Sequence, residues 1–349
     1  MDGGSKSLNL SDGANTTVDQ LNTQMLREYN MPETPYGDIF TIWICSPSLE
    51  LQLKPEHKPL EQINSWKRRI VGNLTDGDPK KEEAILKWRR NAKISLIVER
   101  EVTHPDAIRL LFYEAEFNYI NAFYPCKEQD VWLFASILLF LKHGSQDHQA
   151  KAFLNRNLQQ LVPVPNLKKN SNLSTKILTQ YRELCNGLTE GNNTRIRLQT
   201  QFLNSCRNLT VYGSAFFTGG LQSSKPSAKD NVKCYVAVND VGIHIINYQS
   251  RLMLHSFKYS EITWQLPQEY GILELTVVNL RGEVRQSDRH LRKPLKLITK
   301  QAGMINHLMK KLSRMQGCGN PIPDLSDTGN FSSGQLDFTG RVVRRPVKI

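Results

Sequence analysis

The sequence changes its periodicity twice along the chain, and this succession limits the possible folds more than any other feature. Residues 1–98 combine short apolar runs of strand type with one amphipathic helical segment at Thr16–Tyr29. Residues 104–209 carry apolar residues at helical spacing almost throughout. Residues 211–316 return to seven strand patterns separated by turn signals, and they end in one amphipathic helical segment, Gln301–Met315. This order predicts three compact lobes in succession.

Each lobe has a recognisable pattern of elements. The strands predicted in the first lobe are Ser7–Leu10, Phe40–Cys45, Leu49–Leu53, Ile85–Trp88 and Ile94–Val98. Such strands and one helix around a small core are typical of a ubiquitin-like roll, and the middle segment is typical of a helical bundle. Seven strands followed by one helix are typical of a pleckstrin-homology or phosphotyrosine-binding (PTB) roll. We therefore predict an α+β chain with lobes at 1–98, 99–210 and 211–316, and a disordered Gly-, Ser-, Asp- and Pro-rich tail at 317–349.

The hydrophobic pattern argues against a membrane-embedded or secreted protein. The longest apolar run, Val131–Leu141, is too short for the ~20 residues of a membrane span. The N-terminal sequence lacks the apolar stretch of a secretory signal. A cytoplasmic protein is therefore expected, with its six scattered cysteines as free thiols.

The motifs of common enzymes and metal sites are missing from the sequence. It has no P-loop, no HExxH and no G-x-S-x-G, and no C-x-x-C pair or Cys/His cluster at zinc spacing. We therefore expect neither catalysis nor a cofactor nor a metal.

The positive charge is concentrated near the end of the third lobe. The chain carries a net charge of +12, and residues 281–316 hold ten basic residues against two acids. Such a surface attracts anionic lipids, acidic protein tails or nucleic acid. Residues 271–316 contain no aromatic side chain for base stacking, which disfavours nucleic acid. The residues predicted to contact an anionic inner leaflet or an acidic partner are Arg289, Arg292, Lys293, Lys300, Lys310 and Lys311; the alternative is a solvated basic surface.

An ordered series of short sequences connects this lobe plan with a known family. The series is FTIWICS at 40–46, LQLKPEHKPL at 51–60, WRRNAKISL at 88–96, EAEFNYINAFY at 114–124, FLNRNLQQLVPV at 153–164, FLNSCRNLTVYGSAFFTGG at 202–220, WQL at 264–266 and TKQAG at 299–303. Together they resemble the FERM family, in the subgroup of the Krev-interaction-trapped (cerebral cavernous malformation) and Bili-type adaptors. The resemblance implies a three-lobe, non-enzymatic adaptor at the inner plasma membrane or cell junctions, linked to the cytoskeleton.

The resemblance also implies a site for the cytoplasmic tail of a transmembrane receptor, where the first and third lobes meet. The positions that match are Lys54, Lys58, Trp66, Met304 and Leu308. The apolar residues would anchor the tail, and the lysines would meet its carboxylates. Trp66 and Leu308 equally fit ordinary core positions.

Two further implications concern partners. A Rap-type small GTPase in its GTP-bound form would contact the first and second lobes near Lys6, Arg27 and Lys151. A Bili-type adaptor would instead bind a Wnt co-receptor tail or a rhomboid pseudoprotease. A third alternative is the FERM module of an enzyme whose catalytic domain lies outside these 349 residues.

Overall fold

The structure is a computed structural model, and its described parts form two compact units. The described residues are 4–10, 12–167, 172–188, 193–222, 231–278 and 294–317, with the side chains of 68–70 excepted. One unit holds residues 4–7, 96–212 and 250–252, and the other holds 8–95, 213–249 and 253–317. The predicted first and third lobes therefore belong to one unit, and the predicted tail lies almost wholly outside the described residues.

The first lobe is a three-stranded antiparallel sheet with short helices around it. Its strands are β1 (Phe40–Ser46), β2 (Leu49–Gln52) and β3 (Ile85–Arg90), in the order β2-β1-β3. Its helices are α1 (Val18–Glu28), α2 (Glu33–Ile39), α3 (Pro59–Ser65) and α4 (Gly72–Leu74), with a π-helical turn at Trp66–Val71 and 3-10 turns at Gly13–Asn15 and Pro79–Lys81. Helix α1 begins with a capping box in which Thr17 and Gln20 satisfy each other's backbone N–H groups.

Two strands predicted in this part of the sequence are wrong. Ser7–Leu10 has no regular structure, because a four-residue segment without a pairing strand gains too little to become one. Ile94–Val98 is replaced by helix α5 (Leu96–Arg100). The cause is tertiary: the buried Glu99 carboxylate accepts hydrogen bonds from Arg207 and Tyr212, and these contacts override the local β propensity.

The central unit is a helical bundle. Besides α5, its helices are α6 (Pro105–Ile120), α7 (Glu128–His143), α8 (Asp147–Asn157), α9 (Val164–Leu167), α10 (Leu173–Asn186) and α11 (Thr194–Cys206), with a 3-10 turn at Leu158–Gln160. Helix α7 is apolar on most of its circumference, as expected for a helix packed between neighbours on several sides. Edge-to-face and tilted contacts among Tyr119, Phe134 and Phe202 join it to α6 and α11.

The third lobe is a seven-stranded antiparallel sheet packed against one helix. Its strands are β4 (Ala215–Leu221), β5 (Val232–Val238), β6 (Gly242–Asn247), β7 (Met253–Lys258), β8 (Ile262–Gln265), β9 (Ile272–Val277) and β10 (Leu295–Ile298), in the order β7-β6-β5-β4-β10-β9-β8, with a 3-10 turn at Tyr259–Glu261. Helix α12 (Ala302–Met315) buries its apolar stripe, which includes Ile305, Leu308 and Leu312, in the core. One hydrophobic cluster runs through both lobes and includes Trp66 and Leu74 of the first lobe.

Candidate functional site

The first and third lobes are joined by a set of polar contacts around residues 73–76, here called the lobe junction. The Tyr270 hydroxyl, the Lys300 ammonium and the Gln301 amide each donate a hydrogen bond to a main-chain carbonyl of this segment, at 3.3, 3.0 and 3.1 Å. Lys300 also forms a 2.7 Å ion pair with Asp76. The carbonyl groups are those of Asn73, Thr75 and Leu74, in the same order. These contacts fix the start of α12 against the first lobe.

A shallow depression lies beside the junction, and it opens next to the first turn of α12. Its apolar lining includes Leu74, Ile272 and Met304, and its charged residues are Glu269 and Lys300. Gly303 also lines it, and a Cβ atom added there would meet nothing within 4 Å. The depression therefore has room for a small apolar group between the two lobes.

An exposed stripe continues from this depression along α12. Gly303, His307 and Lys311 are four residues apart in succession, so they share one face of the helix, and all three are exposed. The depression and this stripe are together called the junction trough. It offers a ligand a small apolar recess at one end and cationic groups at the other.

The cationic end of the junction trough combines three segments that are distant in the sequence. Lys54 follows β2, Lys93 lies in the turn after β3, and His307 stands on α12. The full set, called the cationic cluster, is Lys54, Lys93, His307, Lys310 and Lys311. Glu56 lies 4.0 Å from Lys54 and is largely exposed, so it offsets only part of this charge.

The cluster perturbs its own titrating groups. Burial, with the positive charges of Lys311 and Lys54, lowers the pKa of Lys93 to about 8. Partial desolvation of the His307 ring, one side of which still faces solvent, lowers its pKa, and the lysines of the cluster lower it further. Lowered pKa values of cationic groups indicate a site that would bind an anion favourably, because the anion would relieve the repulsion among the cations.

The structure gives the five residues predicted for the receptor-tail site different environments. Lys54 belongs to the cationic cluster, and Lys58 donates a 2.8 Å hydrogen bond to the Asn15 side chain. Trp66 and Leu308 are core residues, 0% and 2% exposed. Met304 is 7% exposed and lines the depression. Leu308 and Trp66 are therefore core residues without a surface for a ligand, whereas Met304 lines the depression and Lys54 belongs to the cationic cluster.

The residues predicted to contact a small GTPase or anionic lipid also lie in different parts of the structure. Lys6 and Lys151 belong to the unit of the central bundle and Arg27 to the other unit, and all three are exposed. Arg289, Arg292 and Lys293 lie outside the described residues. Lys300 is held by Asp76 and Thr75 of the first lobe, and Lys310 and Lys311 belong to the cationic cluster.

The sequence patterns did not identify Lys93, His307 or Gly303 as candidate site residues. Lys93 is one lysine in a turn, and nothing local indicates that its turn lies beside α12. The spacing of His307 from Gly303 and Lys311 is visible in the sequence, and it could have marked an exposed helical face. Within the described ranges, no His, Cys, Asp or Glu cluster is arranged to hold a metal ion. Nor does any helix there have the length and apolarity to cross a membrane.

Comparison with known proteins agrees with this architecture. Residues 98–217 match the FERM central domain, and residues 232–308 match the family described as KRIT1/FRMD8, FERM domain C-lobe. The chain is 26% identical over 319 residues to FERM domain-containing protein 8 of Xenopus tropicalis, covering 84% of this chain and 70% of that protein. For the Homo sapiens protein of the same name the identity is 25% over 338 residues, covering 88% and 71%.

Solved structures share the fold at low sequence identity. The MyTH4-FERM domain of human myosin 7b, in complex with the harmonin-a PDZ3 domain, aligns with a TM-score of 0.61 at 16% identity. That alignment covers 86% of this chain but 56% of the myosin chain, so the chain spans little more than half of it. The complex of the FERM and C-terminal domains of Drosophila Merlin aligns with a TM-score of 0.53 at 15% identity, covering 89% and 94%.

These matches confirm the predicted α+β multi-lobe FERM fold and the predicted subgroup. The described elements are a three-stranded sheet with short helices, a helical bundle, and a seven-stranded sheet packed against α12. The third lobe carries the more specific match. The chain is therefore a FERM-domain protein whose third lobe is of the KRIT1/FRMD8 type.

Proposed function

We propose that this FERM chain is a non-enzymatic adaptor that holds the cytoplasmic tail of a transmembrane receptor in the junction trough. The observation that carries the proposal is the cationic cluster beside an apolar recess, at the junction of the first and third lobes. A tail that offers one apolar side chain and neighbouring carboxylates complements both ends of the trough. The tail carboxylates would accept charge-assisted hydrogen bonds from Lys54, Lys93 and Lys311.

The burial of Trp66 and Leu308 determines how such a tail would bind. Both side chains pack in the core and have no open surface to offer a ligand. The anchor residue of the tail would therefore enter the depression beside Met304 and Gly303. The rest of the tail would follow the exposed stripe of α12 toward the lysines.

Solved structures of this fold include complexes with other protein domains. The myosin 7b FERM region is seen with a PDZ domain, and the Merlin FERM domain with its C-terminal domain. Those partners belong to those proteins. For this chain they support a role in holding proteins together and do not identify a partner.

The test is a binding assay with the full chain and short labelled peptides. The probes are octapeptides rich in Asp and Glu that end in Leu or Phe with a free carboxylate. Gly303→Trp adds a bulky ring at the edge of the depression, at a position where a Cβ atom meets nothing within 4 Å, and Lys54→Glu with Lys311→Glu reverses two charges of the cluster. We expect each variant to weaken binding at least about tenfold, which corresponds to about 1.4 kcal/mol.

Matched control variants lie on the central bundle. Thr179→Trp adds the same ring at an exposed helical position, and Lys151→Glu reverses an exposed charge. Both should bind like the wild type. Equal affinity of the Gly303→Trp variant and its Thr179→Trp control would refute docking in the depression.

A second candidate function follows from the relatives. Because FERM domain-containing protein 8 matches over most of this chain, a Bili-type role is favoured as the alternative. That adaptor would regulate Wnt co-receptor signalling or the trafficking of a rhomboid pseudoprotease. Pull-down with a Wnt co-receptor tail and with the cytoplasmic segment of a rhomboid pseudoprotease tests this alternative, which predicts that the chain retains one of them. Retention of neither would refute the Bili-type role.

The remaining parts of the proposal concern the GTPase and the membrane. A Rap-type GTPase, in its GTP-bound state, would approach the exposed Lys6, Arg27 and Lys151, because its effector loop is acidic. Undiminished affinity of a Lys6→Glu/Arg27→Glu variant for GTP-loaded Rap would remove this part. Anionic inner-leaflet lipid would meet Lys310 and Lys311 and place the protein peripherally at the plasma membrane or cell junctions. Equal retention of the wild type and a Lys310→Glu/Lys311→Glu variant on phosphatidylserine vesicles would remove the lipid contact.

A further inference from the structure

We propose that a groove along α11, in the central bundle, binds a segment of extended polypeptide that carries one acidic side chain. The residues that line the groove lie between positions 105 and 208, so the site belongs to the unit of the bundle alone. It is separate from the junction trough, and the inference does not depend on the proposed function. Recognition would rest on hydrogen bonds between side-chain amides and the peptide main chain, and on one ion pair.

The groove is concave and large enough for a short peptide. Its volume is about 700 Å³, within the roughly 300–1,000 Å³ of ligand-binding clefts. Residues of α11 make up most of its described lining, and the apolar residues Pro105, at the start of α6, and Leu188, after α10, also contribute. A ligand would therefore meet a polar helix face with apolar positions beside it.

A stripe of polar side chains runs through the groove. Arg197, Gln201, Asn204 and Asn208 follow one another at intervals of four, three and four residues, so they lie on one face of α11 and of the turn after it. All four are exposed. Neighbours in the stripe are about 4.5–6 Å apart along the helix axis, close to the ~6.6 Å between alternate residues of an extended chain. An extended peptide can therefore follow the stripe and meet one side chain at about every second residue.

Side-chain amides suit a peptide main chain, because each offers a donor and an acceptor as the peptide group does. Asn204 is already oriented for this role. Its Oδ1 accepts a 2.9 Å hydrogen bond from Arg207 Nη1, and Arg207 is buried and held by Glu99. The Nδ2 group of Asn204 therefore remains to donate to a peptide carbonyl group. Gln201 and Asn208 have no side-chain hydrogen bond to any other described residue, so both of their amide groups can pair with a ligand.

The charge of the groove determines which peptide fits. Among its described lining residues a single one is charged, the cation Arg197. Arg197 has no ion-pair partner in the described part of the chain. A carboxylate of the ligand would accept paired hydrogen bonds from this guanidinium. A second acidic side chain would find no cation in the described lining, so the acid-rich octapeptides that suit the junction trough gain little here.

The experiment selects a phage-displayed library of random nonapeptides on the full chain and measures the recovered peptides, labelled with fluorescein, by anisotropy. Peptides that bind in the groove should share one Asp or Glu and bind the Arg197→Glu variant at least about tenfold more weakly. Exchange of that acid for Lys should restore binding to Arg197→Glu. Lys151→Glu, which reverses an exposed charge on α8, is the matched control and should bind like the wild type.

Asn204→Asp tests the main-chain hydrogen bond. The new carboxylate can still accept from Arg207, so the contact that orients it is kept, but the donor is lost. Peptides in which Gln replaces the acid avoid repulsion from the added charge, and they should bind this variant about fivefold more weakly than the wild type. Asn155→Asp, at an exposed position of α8, makes the same exchange outside the groove and should cause no loss.

Three results would overturn the proposal. The first is the recovery of no peptide, or only of peptides that bind Arg197→Glu and Asn204→Asp as tightly as the wild type. The second is a set of peptides sensitive to Lys54→Glu/Lys311→Glu alone, which would support the junction trough and refute the groove. The third is a wild-type dimer in sedimentation velocity that Arg197→Glu abolishes, which would assign the groove to a second copy of the chain.

Discussion

His244 is a fully buried histidine in strand β6, and its polar partners are all internal. Its Nδ1 lies 2.9 Å from the Ser256 hydroxyl, and its Nε2 lies 3.2 Å from the Asn239 side-chain oxygen. The Tyr259 hydroxyl donates a 2.7 Å hydrogen bond to the Asn239 carbonyl group. Burial lowers the pKa of His244 to about 4. The third lobe therefore folds around a neutral imidazole.

This residue predicts an acid-sensitive third lobe. The folded pKa lies below the unfolded value of ~6.5, so the stabilisation is complete above that pH and is lost as pH falls from 6.5 toward 4. Between pH 7.5 and pH 5 the His244 contribution should fall by about 2 kcal/mol. Urea unfolding at the two pH values measures it.

A His244→Gln variant provides the comparison, because it cannot take up a proton. Its free energy of unfolding should decrease less on acidification than that of the wild type. Parallel pH dependence in the two proteins would assign the acid sensitivity to other groups.

Sequence patterns predicted individual elements well where local signals and packing agree. Strand β6 and helix α12 lie where alternation and amphipathic spacing indicated. The strand prediction for Ile94–Val98 was wrong because the neighbouring Glu99 is hydrogen-bonded to Arg207 and Tyr212, which lie more than 100 positions later in the sequence. No local pattern contains such a contact.

The contact of Glu99 with Arg207 and Tyr212 leads to a second prediction, which concerns how α5 is held to the end of α11. Glu99 in α5 is 0% exposed, and its carboxylate accepts hydrogen bonds from Arg207, just after α11, at 2.8 Å and from Tyr212 at 2.6 Å. Arg207→Met leaves the buried carboxylate without its cation, and we expect a loss of about 3 kcal/mol in the free energy of unfolding. Chemical denaturation followed by circular dichroism measures it.

The double variant Glu99→Met/Arg207→Met is the matched comparison. It removes both charges, so it should recover a large part of the stability lost in Arg207→Met. A double variant as unstable as the single one would mean that packing, rather than the unpaired charge, causes the loss.

At the scale of the whole molecule, the candidate site comes from the merging of the first and third lobes into one unit. Lys54, Lys93 and Lys311 converge from segments that lie up to 257 positions apart. The charge pattern predicted a basic third lobe, and the family resemblance implied a site where the first and third lobes meet, but neither could indicate which lysines meet. Trp66 shows the same limit, because a tryptophan suits a ligand pocket and a core equally, and in the fold this one is buried in the core.

The most direct test of the central proposal is amide hydrogen exchange on the full chain, with and without the acidic octapeptide. Docking in the junction trough predicts slower exchange in Ala302–Met315 and around Lys54 and Lys93, with no change in the central bundle. Protection confined to the exposed edge of β8 (Ile262–Gln265), or to the central bundle, would contradict it.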